Sequence, residues 1–124
     1  MILTTKQRDT LHKIRTVAPL LGIDPAWAAA VAMVESSLGE RQLSPTGCKG
    51  VFQMSSIAMR ELHRIMQKSD DDFADIACGL VFLRVLLKRW KTIEEATARF
   101  CDPKDRDFYL ERVKRYMNSF RDHQ

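Results

Sequence analysis

The stretch Asp24-Pro25-Ala26-Trp27-Ala28-Ala29-Ala30-Val31-Ala32-Met33-Val34-Glu35-Ser36-Ser37-Leu38 decides the fold. It opens on an N-cap aspartate followed by proline at the first helical position, where a missing N–H does no harm. An apolar run follows, and the pattern predicts a helix to about Ser37. Residues 25–34 are too few to span a bilayer. One carboxylate stands near the end. Helical spacing puts Glu35 in line with Ala28, Val31 and Leu38, the positions that bury this helix. A carboxyl on such a face loses hydration, which disfavours its charged form and raises its pKa. Spacing leaves a second reading open, a glutamate at a fraying helix end that faces water. Beyond it, residues 39–54 hold Gly39, Gly47 and Gly50, three of the five glycines. An irregular piece of that length in a compact domain is usually functional or disordered. A short β-hairpin fits within it.

Working outward, six helices are legible in all. Leu11, Ile14, Val17, Ala18 and Leu21 mark the first, with Pro19 expected to distort its last turn and Gly22 to end it. The Asp24-Pro25 helix is the second. A third begins near Ser55-Ser56 and carries Ala58, Leu62, Ile65 and Met66. Asp70-Asp71-Asp72 opens the fourth, since negative charge suits a helix N-terminus. Its apolar face is Phe73, Ile76, Ala77, Leu80, Leu83, Leu87 and Trp90. Thr92-x-x-Glu95 reads as a capping box for the fifth. Asp102-Pro103 repeats the earlier start signal for the sixth, with Tyr109, Val113, Tyr116, Met117 and Phe120 on one face. No alternating strand pattern and no internal repeat stands out. The expectation is a mostly α fold, one domain over residues 1–124.

Composition agrees with an ordinary globular protein. Of 124 residues, 45% are hydrophobic and 29% charged, enough for a core without disulfides or metal. The net charge of +4 favours anionic partners without choosing among them. Cys48, Cys78 and Cys101 are odd in number and lack metal-ligand spacing, so they read as reduced thiols used as small apolar residues. His12, His63 and His123 are scattered, and no metal or cofactor is expected. The segment Met1-Ile2-Leu3-Thr4-Thr5-Lys6-Gln7-Arg8 has no long apolar region. Synthesis in the cytoplasm without a signal peptide, and no membrane insertion, are therefore expected.

Glu35-Ser36, then Ser44, Gly47, Gly50 and Gln53, then Gly79, Phe82-Leu83 and Tyr109-Leu110-x-x-Val113 form an ordered series. The series resembles the catalytic domain of soluble lytic transglycosylases, the group related to goose-type lysozyme. That family shows Glu-Ser, a spacer, Ser-x-x-Gly-Ala-x-Gly-Leu-Met-Gln, and later Tyr-Asn-Ala-Gly and Tyr-Val-x-x-Val. Here Cys48 stands for Ala, Val51 for Leu and Phe52 for Met. The resemblance covers roughly residues 10–117. It implies a lysozyme-like fold with a catalytic loop and cleavage of the bond between N-acetylmuramic acid and N-acetylglucosamine in peptidoglycan glycan strands. Glu35 would be both acid and base, closing a 1,6-anhydro ring on the muramyl residue. Ser44 would orient the sugar or the glutamate. Gln53 would hydrogen-bond substrate, and Phe52 and Met54 would line the groove wall. Plain core packing is the alternative for Phe52 and Met54, and a helix-end hydroxyl is the alternative for Ser36.

The chain departs from the family where Tyr-Asn-Ala-Gly is Phe100-Cys101-Asp102-Pro103, so Phe100 can offer only packing and Tyr109 and Gln53 become the best remaining donors. Ser55-Ser56 replaces the usual Met-Pro. Trp27 and Trp90 read as core rather than sugar platforms. Lys104, Arg106, Arg112, Lys114, Arg115 and Arg121 read as a solvated basic face, or as an attraction to the anionic wall. The start of the chain and its small size suggest a bacteriophage protein, an endolysin or a virion component, acting on the cell wall. Two other functions fit less of the pattern. A hydrolytic lysozyme would need a second carboxylate, from Glu40, Asp70, Asp71, Asp72 or Asp102. A small basic helical DNA-binding protein would need neither acid nor loop, and no nucleic-acid partner is expected.

Overall fold

The computed structural model describes residues 1–41, 50–53, 72–100 and 106–122. Over them the protein is mostly α. Among the described residues there are five α-helices: α1 (Thr5–Val17), α2 (Pro25–Ser36), α3 (Asp72–Trp90), α4 (Ile93–Phe100) and α5 (Arg106–Asp122), with a 3₁₀ helix over Ala18–Leu21 between the first two. No strand occurs among the described residues. The expected third helix lies outside them. Of the 39–54 span read as room for a hairpin, residues 39–41 and 50–53 are described and hold turns without a strand, and the rest lies outside.

Local sequence explains the boundaries. Thr4 caps α1, its hydroxyl accepting the Gln7 N–H at 3.1 Å while Gln7 Oε1 accepts the Thr4 N–H at 3.0 Å. Pro19 has no N–H to continue an α-helix, and the chain tightens into the 3₁₀ turn there. Gly22, at φ 69°, then ends it in the left-handed region. Asp24 accepts the Ala26 N–H at 2.9 Å, with Pro25 beside it. Thr92 accepts the Glu95 N–H at 3.1 Å, the first half of the expected capping box.

α2 is the centre of the molecule. Ala26 through Met33 are all buried, so this helix has no water-facing side over two turns. Its five alanines let neighbours approach closely, and α5 lies against it most extensively. From α5 come Val113, Met117 and Phe120; from α3 come Ile76, Leu80 and Leu83. The buried Trp27 indole N–H donates to Thr97 Oγ1 at 2.8 Å, which ties α2 to α4. Trp90 is half-buried, with the Arg99 guanidinium 4.1 Å from its ring centre. Cys78 is buried, burial pushing its thiol pKa up with the Asp75 charge adding to it.

Candidate active site

Glu35 sits in the last turn of α2, half-buried. Of the positions in line with it, Ala28, Val31 and Leu38 are fully buried. The Glu35 side chain beside them is half-buried, between the two readings the spacing left open. Burial pushes its carboxyl above the ordinary glutamate range, and a hydrogen bond from Tyr109 pulls it part of the way back. That bond is short and direct, the Tyr109 hydroxyl donating to Glu35 Oε1 at 2.7 Å. Tyr109 belongs to the first helical turns of α5, so the α2–α5 packing brings the two together across 74 residues of chain. With Oε1 accepting from the tyrosine, an acidic proton on Glu35 belongs on Oε2.

The chain leaves α2 in an uncommon way. Ser37, Leu38 and Gly39 all have positive φ, at 52°, 54° and 91°. Left-handed backbone costs a non-glycine residue about 1–2 kcal/mol. Burying Leu38 completely offsets this by about 1.5–3 kcal/mol. The turn is closed by the Ser37 N–H on the Met33 carbonyl, the Leu38 N–H on the Ala32 carbonyl, and the Arg41 N–H on the Ser36 carbonyl at 2.7 Å. At Gly39 a Cβ would lie 2.6 Å from Thr10 Oγ1, so only glycine fits.

Ser36, beside the acid, does more than finish a helix. Its hydroxyl is fully buried, donates to the Val51 carbonyl at 2.5 Å and accepts the Gly39 N–H at 2.9 Å. The other side of the same loop is held from α3, where Asp75 Oδ2 accepts the Val51 N–H at 3.0 Å. Residues 50–53 are thus clamped between α2 and α3. Gly50, at φ 85°, admits the Asp75 carboxylate, which a Cβ would meet at 2.3 Å.

The remaining expected site residues divide. Phe52 takes the core-packing alternative, because its ring is 1% exposed and cannot present a surface to a ligand. It lies over Gly79, where a Cβ would be 2.3 Å from the ring. Phe100 stacks edge-on against Phe52 and Phe82, with ring centres 6.4 and 5.5 Å apart. Gln53, at φ 50°, turns its amide nitrogen onto the loop backbone, 2.8 Å from the Gly50 carbonyl and 3.3 Å from that of Arg41. In this pose the amide nitrogen braces the loop. Ser44 and Met54 lie outside the described residues. Of the second-carboxylate candidates, Glu40 accepts the Thr4 hydroxyl at 2.5 Å; the side chains of the others are not among those described.

Sequence reading missed Asp75, Thr4 and Gln7. The Thr4-x-x-Gln7 capping pattern was a usable signal for the last two. Nothing local marked Asp75. Along the basic face of α5, Arg115 pairs with Glu111 at 3.3 Å and Arg121 with Asp24 at 2.8 Å. Among the described residues no group of three or more His, Cys, Asp or Glu side chains could hold a metal ion. No helix among them is long and apolar enough to cross a membrane. No family model, curated protein or solved structure matches the chain.

Proposed function

We propose that Glu35 is the acid and base of a lytic transglycosylase that cuts the β-1,4 bond between N-acetylmuramic acid and N-acetylglucosamine in peptidoglycan. The observation that carries this reading is a half-buried carboxyl, raised in pKa, with one oxygen held by Tyr109. A group in that state is protonated at higher pH than a free glutamate, as a general acid must be.

The steps follow from the carboxyl alone. The proton on Oε2 passes to the glycosidic oxygen, the muramyl C1–O bond breaks, and positive charge develops on the muramyl ring. The carboxylate left behind faces that charge. It then takes the proton of the muramyl C6 hydroxyl, whose oxygen closes on C1. Glu35 ends protonated, no water is consumed, and the product carries a 1,6-anhydro end. Tyr109 steadies the carboxylate between the two transfers and keeps Oε2 as the working oxygen. The same chemistry would serve phage lysis or wall penetration, as the resemblance suggests.

Mass spectrometry of digested peptidoglycan tests the reaction type, because anhydro and reducing ends differ by one water. Reducing ends only would favour the hydrolytic lysozyme. Glu35→Gln should lower wall-clearing activity by at least about a hundredfold while leaving the protein folded. A folded Glu35→Gln protein with wild-type activity would overturn the assignment. If the wild type clears no wall but binds DNA with an affinity that falls steeply with salt, the protein is a DNA-binding one instead.

A further inference from the structure

We infer that Gln7 is a positioning residue for Glu35, acting through the left-handed turn that follows α2. The inference rests on Glu35 as the working acid, and its geometry is independent of the substrate.

In a capping box the N3 side chain needs only an acceptor, to take the N-cap N–H. Gln7 does that with Oε1, at 3.0 Å from the Thr4 nitrogen. Its other end is used as well. The amide Nε2 donates to the Ser37 carbonyl at 3.0 Å, thirty residues along the chain, and the side chain is nearly fully buried. That carbonyl also accepts the Glu40 N–H at 3.3 Å, so both of its lone pairs are in use. Two neighbours on the same face of α1 reinforce the grip. The Thr4 hydroxyl donates to Glu40 Oε1 at 2.5 Å, and Thr10 fills the space over Gly39.

The turn needs such a holder. Ser37 and Leu38 are left-handed without being glycine, a conformation that persists only when its surroundings enforce it. The N–H groups of these same two residues close the last turn of α2. Glu35 lies in that turn. Loosening Ser37 lets the turn fray, and a frayed turn carries the Glu35 carboxyl away from Tyr109 and into water. The start of α1 is thereby wired to the acid through one side-chain amide.

The two jobs of Gln7 can be separated. Gln7→Glu keeps an acceptor for the Thr4 N–H and loses the donor to Ser37. Gln7→Met loses both. In the full chain, the Glu35 carboxyl is followed by ¹³C NMR titration, its signal identified by its loss in Glu35→Gln. Both variants should move the Glu35 midpoint down, toward the ordinary glutamate value. The new carboxylate in Gln7→Glu would by itself push the midpoint up, so a downward move there reports hydration of Glu35. On peptidoglycan, kcat should fall about ten- to a hundredfold with KM nearly unchanged, the size expected for misplacing a reacting group. A midpoint that is unchanged or raised in either variant overturns the inference. Should the wild type prove inactive on peptidoglycan, the lytic reading fails while the titration still decides the role of Gln7.

Discussion

A half-buried carboxyl is harder to ionise than one in water, and at Glu35 this bears on how stability changes with pH. Desolvation raises its pKa, and the Tyr109 hydroxyl lowers it by less. The sign for folding follows. A carboxyl whose folded pKa lies above its unfolded value of about 4.5 contributes stability that is fully present below that pH. The contribution is lost as pH rises through the folded pKa. Glu35→Gln removes the ionisable group and keeps the shape, so the variant should gain stability relative to wild type as pH rises from 4.5 toward neutrality. Urea denaturation of both proteins at a series of pH values measures it. A stability difference that stays flat across that window would mean Glu35 is hydrated in solution. The contact with Tyr109 could not be read from spacing, because 74 residues separate the two. Resemblance alone suggested that both face one cleft. The left-handed turn was equally hidden, since serine and leucine are not residues that announce positive φ.

At the scale of elements, three helix boundaries were legible because side chains mark them on their own backbone. Pro19 and Gly22 end the first, Asp24-Pro25 starts the second, and Thr92 starts α4. The apolar face read on α3 is the face that packs, with Ile76, Leu80 and Leu83 buried. Long-range fits left no such mark. Gly79 sits inside that helix, where alanine would normally add about 1 kcal/mol. Here a Cβ would meet the Phe52 ring at 2.3 Å, and the ring is backed edge-on by Phe100. Overpacking costs about 1–3 kcal/mol and outweighs the propensity gain. Gly79→Ala should therefore destabilise the protein, and adding Phe52→Leu should recover part of the loss. Because the Val51 carbonyl is held by Ser36, the same clash presses on the residue next to the acid. Thermal melts of the two single variants and the double variant measure the coupling. A Gly79→Ala protein as stable as wild type would show that Phe52 has room to move, and the clamp around residues 50–53 would need another explanation.

For the whole molecule, α2 is both the core and the carrier of Glu35, so forces that hold the core also place the proposed acid. Its burial on all sides was legible as an unbroken apolar run, while the polar contacts that orient it were not. The exposed pair of Arg121 and Asp24 adds little, because surface ion pairs are worth about 0–1 kcal/mol. The contact between Trp27 and Thr97 is different. Both side chains are fully buried, and the indole N–H has the Thr97 oxygen at 2.8 Å. Thr97→Val keeps the shape and removes the acceptor, which leaves a buried donor unsatisfied at a cost of about 1–3 kcal/mol. Thr97→Ser keeps the acceptor and loses a methyl group, so its loss should come from packing alone, about 0.5–1.5 kcal/mol. The distinguishing result lies in hydrogen exchange of α2. If the bond anchors the centre of the molecule, Thr97→Val should speed exchange of amides from Ala29 to Met33 by the same factor as global unfolding. If those amides keep their wild-type rates while the denaturation midpoint falls, α2 is held by its apolar contacts, and the placing of Glu35 owes nothing to Trp27.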